Sequence, residues 1–575
     1  MSTTVLGINC AYHESAACLL RDGRIVAAVE EERFNRVKHA KHSRVDNADE
    51  LPLQAIAHVL QAAGIAPADV DHVGLSLDPA RRLEANRDLQ EPGVAPGDFG
   101  TPEGEETFYR SCRHAGELLA ARFPRATVHH LSHHLCHAAS TFFPSRHARA
   151  AVLVVDGIGE SCSTWLGLGE GNQLTTLGEV SYPSSLGFLW EKISEHLGFD
   201  VYGGPGKVMG YACLTDPIGE DSRTDYAARF RQVVQLTDDG FAIDNRVTRF
   251  RTGDFSGLEP LFGPRRTEIV DRFEEASIAS GLQTVTEETL LHLARRLHAR
   301  TGADALCLAG GVALNCVANT RLLQETPFGS LHVESAANDA GTALGAACLL
   351  WCQVLGRERP RLDHALLGPA FDDVAIDAAL KEAGLQAEQP DDLAARCARL
   401  IHRGGLVAWY QGPLEFGPRA LGGRSILADP TRFDMRTRLN AKVKERESFR
   451  PFAPSVLAED LGRHLVVPKD MDAAEYMLLA LPTRERADAQ RIPAVVQENG
   501  STGVATSRIH VVRDEVNPPY ARLLRELKRL SGLGMVLNTS FNISEPIVCT
   551  PQHAIRTWLR SKMDALAIGS FLVQR

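Results

Sequence analysis

What this 575-residue chain lacks narrows its nature before anything it contains. No stretch supplies the roughly 20 uninterrupted apolar residues that a membrane span needs. Met1-Ser2-Thr3-Thr4-Val5 has neither the basic flank nor the apolar run of a secretory signal, so a cytoplasmic protein with no membrane partner is expected. None of the twelve cysteines forms a C-x-x-C pair, which excludes a zinc knuckle or a thioredoxin-like motif and leaves reduced core thiols. Internal repeats and low-complexity tracts are absent. Excess positive charge is absent too: the net charge of −10 argues against a general nucleic-acid binder, so basic character is local.

What is present is ordinary globular material, 44% hydrophobic and 23% charged, enough for buried cores. The length allows about four average domains, or two or three large α/β units. Val5 to Asn9 reads as a strand. Ala16–Leu20 and Ile25–Val29 are apolar runs joined by Arg21-Asp22-Gly23-Arg24, a hairpin signal. Leu53 to Ala63 follows as an amphipathic helix. A second cycle begins at Ala151–Val155, with Thr164–Leu168 as hairpin partner. Leu290, Leu293, Ala294 and Leu297 then mark a helix, and Ala305–Leu308 runs as a strand into Gly310-Gly311 and a new helix. Two rounds of strand, hairpin and helix suit an actin-like, sugar-kinase-like fold. Residues 1–356 form this first unit, 357–369 read as a linker, and 370–575 form a second unit with a helix at Ala375–Ala383 and a strand at Leu406–Tyr410.

The densest chemical signal is the histidine run 129–137. On a helix His133 and His137 lie one turn apart on one face, where two imidazoles can share a metal. Asp156, at the end of the second-cycle strand, and Asp339, in Ala336–Gly341, could add carboxylates. Such a donor set suits iron(II) or another transition metal better than calcium or magnesium. A surface histidine patch or a helix cap is the competing account. His13, in the turn after the first strand, is placed to act as a general base in an actin-like cleft, or is plain surface. The turns Gly203-Gly204-Pro205-Gly206-Lys207 and Gly310-Gly311-Val312-Ala313-Leu314-Asn315 could approach phosphate through their backbone N–H groups, or be tight turns without a ligand.

In the second unit, Gly417–Ser425 precedes a run, 432–450, with seven basic residues (Arg432, Arg436, Arg438, Lys442, Lys444, Arg446, Arg450) and three acidic ones. A solvated helix face would explain a charge run. The glycines and prolines around Arg419 and Arg424 favour a pocket for a small anion, held by forked guanidinium contacts. Asn538-Thr539-Ser540-Phe541-Asn542 could add neutral hydrogen bonds at a strand end.

Taken in order, these segments resemble the carbamoyltransferase family that includes the tobramycin and nodulation-factor enzymes. The resemblance runs through Tyr12-His13, Glu30–Phe34 with Lys38-His39, His133-x-x-x-His137, Val155-Asp156-Gly157, Gly310–Asn315, Gly417–Gly422, Phe449–Pro454 and Asn538–Asn542. It implies an α/β protein with an N-terminal actin-like (ASKHA, Kae-type) domain carrying iron, and a C-terminal YrdC-like domain. The second domain would make carbamoyl-adenylate from carbamoyl phosphate and ATP, supplied as its magnesium complex. The first would pass the carbamoyl group to a hydroxyl of a small molecule, with a closed passage shielding the labile intermediate. The resemblance assigns His133, His137, Asp156 and Asp339 to Fe(II), His13 as base and Lys38 as a nearby cation. Gly206, Lys207, Gly310, Gly311 and Asn315 would touch nucleotide. Arg419, Arg424, Ser425, Lys444, Arg450, Arg508, Asn538 and Ser540 would hold carbamoyl phosphate or ATP. Ser544 before Glu545-Pro546, Gly423, and Ser507-Arg508-Ile509-His510 in place of Ala-Arg-Val-Gln depart from the family pattern.

A natural-product acceptor, as in antibiotic or other secondary metabolism, is expected, bound within residues 160–260; homodimerisation is left open. The rival activities are a small-molecule kinase of actin-like fold, a metal-dependent hydrolase, and a nucleotide-binding partner in a tRNA-modifying complex.

Overall fold

The computed structural model describes residues 2–214, 224–269, 273–498 and 504–575, so residues 215–223 of the expected acceptor region lie outside the described residues. The chain divides into two compact units, Met1–Leu362 and Asp363–Arg575.

The first unit uses one plan twice. Strands β1 (Thr4–Asn9), β2 (Ala16–Arg21), β3 (Arg24–Glu30), β4 (His72–Leu75) and β5 (Thr127–His130) form a sheet of order β3-β2-β1-β4-β5. β1 to β3 run antiparallel, while β4 and β5 join β1 in parallel. The second sheet repeats this with β6 (Arg149–Val155), β7 (Cys162–Glu170) and β8 (Gln173–Ser181) antiparallel. After a small hairpin of β9 (Val234–Leu236) and β10 (Phe241–Ile243), β11 (Ala305–Ala309) and β12 (Ser330–Val333) complete the parallel side. The order β12-β11-β6-β7-β8 mirrors the first sheet, the duplicated arrangement of an actin-like fold. Asp22 and Gly23 both take positive φ, 49° and 80°, closing the β2–β3 hairpin with its two-residue turn.

Two buried helices carry the site between these sheets. The helix His133–Phe142 is buried almost all round, as is Gly341–Leu349. They touch where glycine allows it: a Cβ on Gly345 would lie 1.7 Å from the Cys136 carbonyl oxygen, and one on Gly7 of β1 1.9 Å from that of Ala343. The helix 273–301 spans the whole register read at 290–297.

The second unit is built on a nine-stranded mixed sheet. Its strands are β13 (Val407–Tyr410), β14 (Arg424–Ala428), β15 (Ala453–Leu457), β16 (Leu479–Pro482), β17 (Gln497–Glu498), β18 (Ala505–Val512), β19 (Met535–Ser540), β20 (Ala565–Ile568) and β21 (Phe571–Gln574). The order is β16-β18-β15-β19-β14-β13-β20-β21, with β17 beside β18. Alternation puts Leu427, Leu457, Val512 and Val536 on one face, beneath the helices Leu393–His402 and Pro518–Ser531. Towards one end that face turns polar, with Arg508, His510, Ser455, Asn538, Ser540 and Ser425 in register across β18, β15, β19 and β14.

Candidate active site

The first unit gathers His133 and His137 from their helix, Asp156 from the end of β6, and Asp339 from the turn before Gly341–Leu349. One donor atom from each lies within 4.8 Å of all the others, and all four residues are buried. His133 Nε2 is 3.4 Å from Asp156 Oδ2 and 3.6 Å from Asp339 Oδ1; His137 Nε2 is 3.6 and 3.4 Å from the same oxygens. These separations are long for hydrogen bonds. They match donors spread around an ion at about 2.0–2.2 Å from each. His133 Nδ1 donates to the Ser76 carbonyl at 3.1 Å, fixing the tautomer that turns the Nε2 lone pair inward. Neither His137 nitrogen has a hydrogen-bond partner among the described residues. Burial opposes ionisation of both carboxylates, but the imidazoles hold Asp156 and Asp339 below the usual carboxylate range. Two buried negative charges beside two imidazoles are what a divalent transition metal neutralises, so the residues fit one.

Sequence reasoning missed the supports. Glu160 Oε1 accepts from the backbone N–H of His133 at 2.9 Å, satisfying a donor that the buried start of the histidine helix leaves without an intrahelical partner. The Gly311 N–H donates to Asp156 Oδ1 at 2.8 Å. On the helix Leu186–His196, burial, then the charges of Asp156 and Asp339, push Glu191 up to about 8. A carboxylate so far in sequence from Asp156 and Asp339 left no motif to find it by.

His13 is half-buried in the turn after β1, with Nδ1 buried and lacking a hydrogen-bond partner. Its ring sits 5.1 Å from Tyr202 and 6.1 Å from His39. Glu14, at φ 56°, accepts from His39 Nδ1 at 2.8 Å and from the Asn338 amide, tying the His13 turn to the residue before Asp339. Lys38 is exposed on the same loop as His39.

Several of the residues expected at nucleotide make contacts within the protein. Asp200 Oδ1 accepts the Gly203 N–H at 2.5 Å and Oδ2 takes the Lys207 ammonium at 3.0 Å; the segment is the first turn of the helix Gly204–Tyr211, with Gly206 exposed. Gly310, at φ 91°, donates to the Ala337 carbonyl, so the Gly310-Gly311 turn braces the two aspartate loops. Asn315 caps the helix Cys316–Glu325 and exchanges amide hydrogen bonds with Gln283.

In the second unit the polar end of the sheet face meets the basic run. Lys444 Nζ reaches Ser540 O at 2.6 Å and Asn542 Oδ1 at 2.6 Å. Arg450 and Arg508 stand beside Arg446, whose guanidinium burial, then those two charges, lower to about 9. Glu415 Oε1 gathers the N–H groups of Leu421, Gly423 and Arg424, shaping the loop that presents half-buried Arg419. The Ser425 hydroxyl is buried with no hydrogen-bond partner among the described residues. Arg424 is a correction: alternation turns it to the opposite face from Ser425. There it is fully buried against the Tyr410 ring, and its fork is spent on the carbonyls of Gln411, Gly412, Gly423 and Pro369. The charge run is likewise divided, since Arg438 turns to the Gly404 carbonyl and Asp564.

Comparison with known proteins gives two family matches, described as carbamoyltransferase N-terminus over residues 4–95 and 105–348 and carbamoyltransferase C-terminus over residues 398–575. The chain is similar to the uncharacterized protein sll1178 of Synechocystis sp., 37% identical over 620 residues covering 100% of this chain and 97% of that one. It is also similar to the nodulation protein NolNO of Sinorhizobium fredii, 34% identical over 580 residues, covering 99% and 80%. Among solved structures, HypF of T. kodakarensis is 14% identical with a TM-score of 0.33, covering 61% of this chain and 48% of that one.

Proposed function

The chain belongs to the carbamoyltransferase family and is a carbamoyltransferase, and on that premise we propose that its two units divide one ATP-dependent O-carbamoyl transfer. The second unit takes carbamoyl phosphate, releases phosphate with water to give carbamate, and lets a carbamate oxygen attack the α-phosphorus of ATP. Pyrophosphate leaves and carbamoyl-adenylate remains. The observation that carries this reading is the crowding of Arg446, Arg450 and Arg508 beside Lys444 and Ser540 in a chain of net charge −10. Glu447, 3.6 Å from Arg450, offsets part of that charge, and the remainder favours a bound anion. Carbamate alone is a poor electrophile; adenylation gives its carbon a good leaving group.

In the first unit the acceptor hydroxyl attacks that carbon, AMP departs, and His13 Nδ1, which faces no competing donor or acceptor, takes the hydroxyl proton. Glu14, Asn338 and Tyr202 hold His13 in place. His133, His137, Asp156 and Asp339 would hold Fe(II), which when bound supplies Lewis-acid polarisation of the carbamoyl oxygen. Lys38 supplies positive charge at the mouth of the same loop. The acceptor is a small-molecule natural product carrying a free hydroxyl.

The test is to incubate the purified, iron-loaded chain with ATP and carbamoyl phosphate without acceptor, and follow pyrophosphate and carbamoyl-adenylate by mass spectrometry. Pyrophosphate that depends on carbamoyl phosphate supports the reading. Release of ADP instead returns the kinase alternative.

A further inference from the structure

We propose that Asn9 is a positioning residue for the transfer step: its buried carboxamide holds the His13 turn in register with the loops that carry His133 and Asp339. The inference rests on the reading of His13 as the base.

Asn9 ends β1 and is fully buried. Its Nδ2 lies 3.0 Å from the carbonyl oxygen of His13 and 3.0 Å from that of Glu14. Carbonyl oxygens only accept, so the amide nitrogen occupies that position and both of its protons are used. Reversing the amide would set its oxygen against two others. The turn needs this hold. Glu14 stands at φ 56°, a left-handed conformation that a residue with a side chain keeps only where its surroundings impose it. For the strand alone an apolar residue would serve, since the ladder of β1 uses only its backbone.

The amide's other atom reaches beyond the turn. Asn9 Oδ1 lies 3.1 Å from Ser76 Oγ, and because that oxygen only accepts, the Ser76 hydroxyl donates. Ser76 follows β4; its N–H donates to the Ile8 carbonyl at 3.1 Å, and its own carbonyl is the one that receives His133 Nδ1. Thr342 Oγ1, in the first turn of the helix Gly341–Leu349, lies 2.9 Å from Ser76 Oγ and 2.6 Å from the Asp339 carbonyl oxygen, and both can receive its proton. Ser76 and Thr342 are buried too, where such bonds are strengthened by the low dielectric. One amide thus holds the base's own turn with its donors. With its acceptor it joins, through Ser76, the backbone that orients one metal-ligating imidazole and the loop of a metal-ligating carboxylate. Transfer needs the base and the carbamoyl carbon at a set separation, and Asn9 is their common anchor.

The experiment follows ethoxyformylation of each histidine by diethyl pyrocarbonate in the intact, iron-loaded chain, read by peptide mass spectrometry. Asn9→Asp keeps the size and puts an oxygen in place of the two donors; Asn9→Leu removes every polar atom. Each is expected to speed modification of His13 at least about fivefold relative to exposed His402, by freeing the turn. Bound iron stays within about twofold, since all four donors remain. Thr342→Val is expected to speed His13 modification at least about twofold, and Thr342→Ser, which keeps the hydroxyl, to match wild type. A His13 rate unchanged in both Asn9 variants would overturn the inference. So would an equal rise at every histidine, which marks general loosening, or a Thr342→Val no different from Thr342→Ser. Should both Asn9 variants fail to fold, the Thr342 pair decides the matter. In wild type, ATP with carbamoyl phosphate is expected to protect His13. Absence of protection would remove His13 as the base, and with it the positioning role, even where the Asn9 variants loosen the turn.

Discussion

At Glu14 one carboxylate serves two partners, His39 and Asn338, and so links the proposed base to the metal cluster. Burial works against the His39 cation, but the hydrogen bond and charge of Glu14 outweigh it and raise its affinity for a proton. The folded protein thus holds that proton more tightly than the unfolded chain, whose histidines titrate at about 6.5. The pair stabilises fully below that value, and the contribution is lost as pH rises through the folded one. Glu14→Gln is expected to cost about 1–2 kcal/mol at pH 5.5 and much less at pH 8.5; denaturant melts at both pH values check it. His137→Ala leaves three of the four donors and is expected to lower bound iron by at least about tenfold, read by metal analysis after dialysis. Undiminished iron would contradict the assignment. At this scale the sequence was only partly legible. H-x-x-x-H declared itself because its spacing is helical. Glu191 did not, because it reaches the cluster by the fold rather than by spacing, and the Asn338 contact to Glu14 did not, because its partner is 324 residues away.

The two buried helices are the elements that set the site. Gly345 lets the helix Gly341–Leu349 approach Cys136 on the histidine helix, and no side chain fits there. Gly345→Ala is expected to destabilise by about 1–3 kcal/mol or more and to lower iron content with it, by thermal melting and metal analysis on one preparation. A variant with wild-type melting and iron would show that the packing yields. Hairpins and amphipathic helices were legible here: Leu53–Ala63 begins and ends where its periodicity does. The glycine segment 203–207 was not legible as the start of a helix, since a glycine-rich turn and a helix start share composition; Asp200, which holds Gly203 and Lys207, lies outside the segment. Arg424 misled for a similar reason. Composition shows a guanidinium near glycines, but strand alternation, invisible without the β14 boundary, sends it to the opposite face from Ser425.

On the scale of the whole molecule, the duplicated strand order of the first unit and the mixed sheet of the second are two separate scaffolds, one for each proposed half-reaction. The two rounds of the first unit could be read from the chain because each opens with an apolar strand and a hairpin; the sheet of the second unit could be read only at Leu406–Tyr410 and at the strand end near Asn538, since its other strands are short and separated by long loops. No helix among the described residues is long and apolar enough to cross a membrane. The account's central claim is that activation belongs to one unit and transfer to the other. It is tested by measuring carbamoyl phosphate-dependent pyrophosphate release, without acceptor, in wild type, Arg419→Ala, His13→Ala and His137→Ala. Release should fall by at least about a hundredfold in Arg419→Ala, as charge-assisted contacts to the reacting phosphates are lost, and stay within about threefold in the other two. Loss of release in His13→Ala or His137→Ala as severe as in Arg419→Ala would contradict the division.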